Sequence, residues 1–399
     1  MLIGIPKETK PREHRVAMTP ANVRFWTEKG VSFLVEAGAG SAAGHLDADY
    51  QEAGARIAAN RAEVFGQAEI LLQVQSFGAN QVTAEPDLEL LRPGQVVAGL
   101  MDPLGHPEVA ALLAERGVTA IAMELIPRIS RAQAMDVLSS MATLAGYKGV
   151  LLGAVAANRI MPLMMTAAGT LQPMRVFVMG AGVAGLQACA TAKRLGAVVE
   201  AYDVRPAARE QILSVGAKPV ELPLETDQAE DKGGYAKAQS EEFLRRQREL
   251  MSEVLARQDL VITTASVPGA RAPVLITAEM VRAMKPGSVI VDLAAERGGN
   301  CELTRLNETV VEHGVTILGP ENPAATIPYH ASQMYGKNME VLLSHILDES
   351  LRIALDFEDE IIREIVIAHG GEVRHPRLRA ALGLPELAPA GDRQEGGEA

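Results

Sequence analysis

The chain has 399 residues, of which 48% are hydrophobic and 22% charged, a composition typical of a globular protein with a large buried core. Its formal net charge of -12 argues against binding to nucleic acid or acidic lipid, because both need clustered lysine and arginine. The length predicts two or three domains, and we take two as the working number.

The two cysteines, Cys189 and Cys301, lie far apart in the sequence. Their spacing predicts neither a disulfide framework nor a metal site, and we expect both to be buried in a protein of a reducing compartment. Charged residues follow Met1 too soon, at Lys7 and Glu8, for the apolar core of a signal peptide. We therefore expect a cytoplasmic protein.

Short β-rich runs alternate with helical patterns in the first third of the chain, which is typical of parallel βαβ units. A long segment rich in alanine, leucine and methionine, 132–160, then predicts a helix that crosses to a second domain. The predicted strands of the first series are 2–5, 32–36, 70–74, 96–100 and 119–123.

A second series of apolar runs predicts another sheet covered on both faces. Segment 332–368 is expected to be helical, with no strand of its own, and to pack on the first domain. The polar segment 221–247 predicts a long mobile loop that leads into a charged helix. The predicted strands of the second series are 175–179, 198–203, 260–264, 288–293 and 315–318.

We therefore predict an α/β protein with two Rossmann-like, doubly wound parallel-sheet domains separated by a cleft. Residues 1–140 together with 328–385 are expected to form the first, discontinuous domain. Residues 141–327 are expected to form the second domain, which binds the nucleotide, and 386–399 to be a disordered tail.

A glycine-rich loop follows the first strand of the second series directly, and a helical pattern follows the loop. In this context a G-x-G-x-x-G motif binds a dinucleotide. Gly180 allows a tight turn, Gly182 lets the backbone approach a pyrophosphate, and Gly185 lets the helix pack close to the strand. The predicted dinucleotide-binding loop is Gly180-Ala181-Gly182-Val183-Ala184-Gly185.

The next predicted strand ends in Asp203, 23 residues after Gly180. An acid at this place accepts hydrogen bonds from the adenosine ribose and repels a 2′-phosphate, which favours NAD(H). Arg205 leaves NADP(H) open, because an arginine there can hold that phosphate. Further residues predicted to lie near the nucleotide are Val204, Ala265, Ser266, Val267, Pro268, Glu296, Gly298 and Gly299.

A second glycine-rich stretch, 38–44, also follows a predicted strand. Its third glycine is displaced by one residue, and no acid ends a following strand at the right distance. We predict an ordinary turn there.

Segments 4–8 and 13–20 resemble the start shared by alanine dehydrogenases and the NAD(H)-binding component of proton-translocating nicotinamide nucleotide transhydrogenases. The resemblance extends to about Leu347. Where alanine dehydrogenases carry a substrate-binding lysine, a catalytic histidine and an aspartate, this sequence has Gln75, Leu100 or Met101, and Glu296.

Arg15 could hold the carboxylate of an amino-acid substrate, but the acid/base that such a dehydrogenase needs is missing. His106 is the only histidine near that region, and we expect it to be solvated.

Segment 127–140 resembles a loop specific to the transhydrogenase component, in which four side chains surround the nicotinamide. The correspondence implies that these are Arg128, Gln133, Asp136 and Ser139. Hydride transfer between two nicotinamides moves no proton, so such a site needs only groups that position the rings and exclude water. Without the resemblance, the same residues fit a capped helix N-terminus. Tyr235 corresponds to a tyrosine on a mobile loop that folds over the nucleotide.

The resemblance implies the soluble NAD(H)-binding alpha subunit of a proton-translocating NAD(P) transhydrogenase. Such a chain would pass hydride from NADH to NADP⁺ held by a beta subunit, and would bind as a homodimer to a membrane-spanning subunit on the cytoplasmic face of the inner membrane. One alternative is an amino-acid dehydrogenase of the alanine dehydrogenase type. The other is a non-catalytic NAD-sensing or scaffold protein.

Overall fold

The computed structural model describes residues 1–223, 241–266 and 269–387. It divides into two compact units. The first unit contains Met1–Val137 and the segment from Pro328 onward, and the second contains Leu138–Ile327.

Each unit has a large sheet, and the second unit also carries a separate two-stranded hairpin. In chain order the strands of the described residues are β1 (Leu2–Ile5), β2 (Ser32–Glu36), β3 (Arg56–Ala58), β4 (Ile70–Gln75), β5 (Val96–Leu100), β6 (Thr119–Ala122), β7 (Met164–Thr166), β8 (Gly169–Leu171), β9 (Arg175–Met179), β10 (Val198–Tyr202), β11 (Lys218–Pro219), β12 (Leu260–Thr263), β13 (Val289–Asp292), β14 (Thr309–Glu312), β15 (Val315–Leu318), β16 (Val366–His369) and β17 (Glu372–Val373).

Helices connect most of the parallel strands. In chain order the helices of the described residues are α1 (Pro20–Thr27), α2 (Asp47–Glu52), α3 (Arg61–Gln67), α4 (Ala84–Leu90), α5 (Glu108–Glu115), α6 (Val137–Ala156), α7 (Val183–Arg194), α8 (Ala208–Ser214), α9 (Glu241–Leu255), α10 (Ala278–Ala283), α11 (Pro328–Ile346), α12 (Glu360–Ile365) and α13 (Pro376–Ala381).

The sheet of the first unit has the order β17-β16-β6-β5-β4-β1-β2-β3. The six strands from β6 to β3 pair in parallel, whereas β16 and β17 are antiparallel. All six residues of β4 are buried, as expected for a parallel strand covered on both faces. The central strands of this sheet therefore form its core.

The expectation that 332–368 has no strand is wrong. Helix α12 ends at Ile365, and β16 begins at the next residue and pairs with β6. The residues where the two elements meet, 365–368, form a short apolar run, and such a run reads as helix or strand with equal ease. Pairing with a strand almost 250 residues earlier in the chain decides between them.

The sheet of the second unit has the order β11-β10-β9-β12-β13-β15-β14, and all neighbours are parallel except β14 and β15. Alternate residues of β9 enter two different cores. Val176 and Val178 pack with helix residues such as Ala188, whereas Phe177 packs with residues such as Met251. Helices therefore cover both faces, and the predicted α/β class with two Rossmann-like parallel sheets is confirmed.

Helix α6 is long and apolar enough to span a membrane by length and composition alone, and one such helix is weak evidence because a core helix passes the same test. Within the second unit α6 packs closely through glycines. A Cβ at Gly153 would lie 2.5 Å from the Leu260 side chain, and one at Gly149 would lie 3.1 Å from Leu293. These contacts are those of a helix that packs on a sheet.

Two predicted segments fall partly outside the described residues. Of 221–247, the residues 224–240 are not described, and α9 supplies the charged helix that was expected after them. The predicted tail lies outside from residue 388 onward.

Candidate functional site

The glycine loop connects β9, in the middle of its sheet, to α7. The backbone turns at Gly180, whose φ of +95° lies in the region that favours glycine. A Cβ at Gly185 would lie 1.7 Å from the Gly180 carbonyl oxygen. That oxygen also accepts a hydrogen bond from Thr264 Oγ1 at 2.9 Å. Close packing of the chain itself therefore requires glycine at 180 and at 185.

Gly182 differs from the other two glycines because no described residue packs over it. It is the N-cap of α7 and has no side-chain cap, and a Cβ there would meet no heavy atom of the described chain within 4 Å. The first N–H groups of a helix have no intrahelical acceptor and carry partial positive charge. Ala181 is buried, whereas Val183 and Ala184 are half-buried in the first turn of the helix. The space over Gly182 therefore fits an anionic group such as a pyrophosphate.

Asp203 follows β10 and lies against the glycine loop. Its Oδ2 accepts a hydrogen bond from the Ala181 backbone N–H at 2.7 Å. Arg205 binds the same carboxylate with two parallel hydrogen bonds, from Nε to Oδ1 and from Nη2 to Oδ2, both 2.9 Å long. The side chain of Asp203 is 6% exposed and that of Arg205 is 15% exposed. The structure thus brings the strand-ending acid to the loop and engages the arginine with it, with Val204 half-buried between them.

Strand β12 pairs with β9 on the side opposite β10. The side chain of Asn300 fixes the end of β12. The Asn300 side chain accepts from the Ala265 N–H at 3.0 Å and donates to the Ala265 and Pro273 carbonyls at 2.9 Å. Ser266 follows directly, whereas Val267 and Pro268 lie outside the described residues, as does Tyr235. Sequence reasoning missed Asn300, although its position directly after Gly298 and Gly299 was a usable signal.

Asp292, at the end of β13, fixes the turn that carries Glu296 and Gly298. Its carboxylate is fully buried and accepts from the N–H groups of Ala294 at 3.0 Å and Asn300 at 2.7 Å. Gly298 has a φ of +96°, and Glu296 Oε2 accepts from the N–H of Asn322 at 3.2 Å. Sequence reasoning missed Asp292, which is a positioning residue in the middle of this network.

The loop predicted to surround a nicotinamide contains a 3-10 turn, Ser130–Met135, in the first unit. Gln133 is exposed, and its carbonyl accepts the N–H of Asp136 at 3.2 Å, so the two residues share one turn. Arg128 is exposed just before the turn, and Ser139 lies in the first turn of α6. Within the first unit, the structure therefore brings Gln133 and Asp136 together.

Arg15 is 2% exposed and is paired with Glu13. Its Nε donates to Glu13 Oε1 at 2.7 Å and its Nη2 to Oε2 at 2.5 Å. The charge that a substrate carboxylate would need is thus neutralised within the unit. His106 lies near the surface, where its ring contacts Gln81 and Glu108.

The N–H groups at the carboxyl ends of β4 and β5 in the first unit are bound by two half-buried glutamates of the chain itself, Glu8 and Glu124. Glu8 accepts from the N–H groups of Val74 at 2.6 Å and Gln75 at 3.0 Å, and burial raises the pKa of Glu8 to about 8. Glu124 accepts from the N–H of Met101 at 2.8 Å, and burial raises its pKa to about 7. Over the described residues, no group of three or more His, Cys, Asp or Glu side chains could hold a metal ion.

Comparison with known proteins gives two family matches that together span most of the chain. Residues 4–145 match the family described as alanine dehydrogenase/PNT, N-terminal domain, and residues 149–376 match its C-terminal domain.

Individual relatives match along nearly their whole length. The chain is 45% identical to the first part of the NAD(P) transhydrogenase alpha subunit of Rhodospirillum rubrum, over 95% of this chain and 99% of that protein. It is 30% identical to an alanine dehydrogenase of Halomonas elongata, over 98% of this chain and 99% of that one. The crystal structure of a transhydrogenase from Sinorhizobium meliloti superposes with a TM-score of 0.82 at 44% identity, covering 94% of this chain and all of that one.

Proposed function

Because the chain belongs to the alanine dehydrogenase/PNT family and to its NAD(P) transhydrogenase alpha subunits, we propose that it is the NAD(H)-binding alpha subunit of a proton-translocating NAD(P) transhydrogenase. Membership of this family implies nicotinamide-nucleotide binding and an oxidoreductase role within a multi-subunit complex. In the proposal, this chain binds NADH, and NADP(H) is bound by a partner beta subunit.

The open space over Gly182 is the observation that carries the proposal. A Cβ on Gly182 would meet no heavy atom of the described residues within 4 Å, and the N-terminus of α7 lies directly beside it. A helix N-terminus with free space over a glycine can hold a pyrophosphate. The residues present therefore fit a dinucleotide.

Asp203 supports NAD(H) over NADP(H). Its carboxylate is held at the glycine loop by Ala181 and by Arg205, where a negative charge accepts hydrogen bonds from a ribose and repels a 2′-phosphate. We assign to NAD(H) the loop 180–185, Asp203, Val204, Arg205, Ala265, Ser266, Glu296 and Gly298, together with Tyr235, Val267 and Pro268 from outside the described residues.

The proposed hydride transfer needs no general acid or base from the protein. The hydride carries its electron pair from C4 of the dihydronicotinamide of NADH to C4 of the nicotinamide of NADP⁺, so no proton is gained or lost. The site must orient the rings and keep water out. We assign this role to Gln133, Asp136, Arg128 and Ser139, whose amide, carboxylate, guanidinium and hydroxyl groups can hold a nicotinamide ring by hydrogen bonds.

The proposed domain assignment is residues 1–140 with 328–385, and 141–327 for the nucleotide-binding domain. Proton movement would be coupled through a membrane-spanning subunit, and the chain would lie on the cytoplasmic face of the inner membrane through that complex. These elements of the proposal follow from the family rather than from contacts in the chain.

The proposed homodimer has one supporting feature. All six residues of β7 and β8 are exposed, and they include Met165 at 76% and Leu171 at 48% exposure. A two-stranded hairpin is marginal alone, and a contiguous apolar patch marks an interaction surface. Light scattering on the purified chain tests this assignment, and a monomer at high concentration would contradict it.

The decisive experiment mixes the full chain with NADH and an NADP⁺ analogue whose reduced form absorbs at a longer wavelength than NADPH. One sample contains the NADP-binding component of a transhydrogenase and one does not. We expect reduction of the analogue only in the sample with the added component. A parallel sample contains NAD⁺ and alanine instead.

Formation of NADH from NAD⁺ and alanine would overturn the proposal in favour of an amino-acid dehydrogenase, the function that the 30% identical alanine dehydrogenase favours. The Arg15–Glu13 pair weakens that candidate. Tight NADH binding with no transfer in any sample would favour a non-catalytic NAD-binding protein.

A further inference from the structure

The turn that carries Gln133 needs support from the rest of its unit. It is a 3-10 turn of six residues, Ser130–Met135, and 3-10 runs longer than three or four residues are uncommon because their hydrogen bonds have poor geometry. Ala132 and Met135 are buried, but Gln133 and Ala134 are exposed. Side-chain contacts from elsewhere in the first unit must therefore hold its outer part.

The first contact comes from α11. The side chain of Asn338 donates from Nδ2 to the Ala134 carbonyl at 2.8 Å, and Asn338 is 5% exposed. A buried amide that binds the backbone of Ala134 restrains the orientation of the neighbouring residue, Gln133.

The second contact comes from Asp359, just before α12. Its carboxylate binds the Arg131 guanidinium, accepts the Ile361 N–H at 3.2 Å as a helix N-cap, and contacts His345 Nε2 at 2.6 Å. Partial burial alone would raise the pKa of Asp359, but hydrogen bonds from Arg131, Ile361 and His345 lower it. One carboxylate thus ties the 3-10 turn to α11 and to α12.

A cavity of about 480 Å³ lies beside this junction, lined by Arg131, His345, Ala354, Asp356, Glu358, Asp359 and Ile362. Arg131 is 53% exposed, whereas Asp359 is 12% exposed. Because open space lies beside Arg131, the bond to Asp359 is a main restraint on the position of its side chain.

We propose that Asp359, Arg131 and Asn338 are positioning residues for hydride transfer, which they support by fixing the turn that presents Gln133. This inference rests on the proposed role of Gln133 at the nicotinamide. The Arg131 side of this ion pair is exposed, and ion pairs at the surface contribute little to global stability, so breaking this one should leave the fold intact. A small displacement of a positioning group can still lower the rate strongly.

The test compares four variants of the full chain: Asp359→Asn, Arg131→Met, Arg131→Lys and Asp356→Asn. Asp356 lines the same cavity but caps only its own turn through the Glu358 N–H, which makes Asp356→Asn the matched control for lost charge. Two quantities are measured in all four variants: the single-turnover rate of hydride transfer to the NADP⁺ analogue on the partner component, and the Kd for NADH. The rate of tryptic cleavage after residue 131 is measured in every variant except Arg131→Met, which has no trypsin site there.

We expect Asp359→Asn and Arg131→Met to lower the transfer rate about tenfold and to change the Kd for NADH less than about twofold. Arg131→Lys, which keeps the charge, should restore most of the rate. Asp359→Asn should also speed cleavage after Arg131, because the turn is released. Asp356→Asn should behave as the unchanged chain in all three measurements.

An unchanged transfer rate in Asp359→Asn would overturn the inference. Equal losses of rate, NADH affinity and melting temperature would also overturn it, because they would indicate general destabilisation. If the unchanged chain transferred no hydride at all, the proposed function would fail, and the cleavage rates would still decide whether Asp359 holds the turn.

Discussion

The loops at 38–44 and 180–185 both follow a parallel strand, and both contain three glycines. The space over the middle glycine differs between them. A Cβ at Gly182 would meet nothing within 4 Å among the described residues, whereas one at Gly40 would lie 2.7 Å from the Tyr50 ring and 2.9 Å from the His45 carbonyl oxygen. The side chain of Tyr50 is fully buried, and its hydroxyl donates to the Met18 carbonyl at 2.8 Å. The space over Gly40 is therefore already occupied by Tyr50 and the His45 backbone.

The two loops also lead into different structures. The loop at 180–185 starts α7, which has 12 residues, whereas the loop at 38–44 contains a three-residue 3-10 turn, Ser41–Ala43. Only a helix of several turns aligns enough peptide dipoles to attract an anion. Glycine spacing alone therefore permits a tight backbone path, while the proposed nucleotide site also needs free space and a following helix.

The largest expected effect is that of Gly182→Ala. Because the new methyl group meets no described protein atom, the fold should be unchanged, but the methyl group would occupy the space that a pyrophosphate needs. We expect the affinity for NADH to fall about 100-fold, or about 3 kcal/mol, with Tm unchanged. Fluorescence titration with NADH and a thermal melt measure both. If the variant bound NADH normally, this loop would not be the site.

Gly40→Ala should show the opposite pattern. The new Cβ would collide with Tyr50 and the His45 backbone, and such overpacking costs about 2 kcal/mol, which lowers Tm by roughly 5 °C. NADH affinity should be unaffected, so the variant is the control for Gly182→Ala. Loss of NADH affinity without loss of stability would mean that the loop at 38–44 binds a ligand after all.

Asp203→Asn tests the acid at the end of β10. Removing the charge would weaken the proposed hydrogen bonds to the ribose and would leave Arg205 without its carboxylate partner. We expect the affinity for NADH to fall about tenfold, or about 1.4 kcal/mol, and the affinity for NADPH to rise. Titrating both nucleotides gives their ratio. Arg205→Met serves as the control and should still prefer NADH; an unchanged ratio in Asp203→Asn would remove Asp203 from the site.

Glu8→Gln tests the carboxyl group that binds the backbone at the carboxyl end of β4 in the first unit. Burial, with a smaller effect from Glu13, raises the pKa of Glu8 from 4.5 to about 8. The folded chain keeps this proton where the unfolded chain has lost it. The resulting stability is fully present below pH 4.5 and is lost as the pH rises to about 8, at about 1 kcal/mol per pH unit near neutrality.

Urea unfolding of Glu8→Gln at several pH values checks this prediction. The variant should show a flatter decline of stability with pH than the unchanged chain, although Glu124 keeps some of the slope because burial raises its pKa as well. Glu115→Gln, on the surface of the same unit, should not alter the slope. Parallel curves for all three proteins would show that Glu8 titrates normally.

Features that depend on a short stretch of chain were predictable. The strand, the glycine loop, the helix and Asp203 follow one another within 30 residues, and Gly180 and Gly185 each have a local steric reason. Features that depend on distant segments were not predictable. Strand β16 exists because it pairs with β6, and Asn300 acts on Ala265, 35 residues away in the chain.

The interpretation of Arg205 depends on both the local sequence and the tertiary structure. From the sequence, it could be a partner for a 2′-phosphate or a bystander, and the structure places its guanidinium on Asp203. The sequence alone determined the α/β class, the position of the glycine loop and the acid that follows it, because periodicity and backbone sterics act over neighbouring residues. Only the tertiary structure decided which loop stays open and which carboxylates are paired, because those properties depend on side chains brought together from distant regions of each unit.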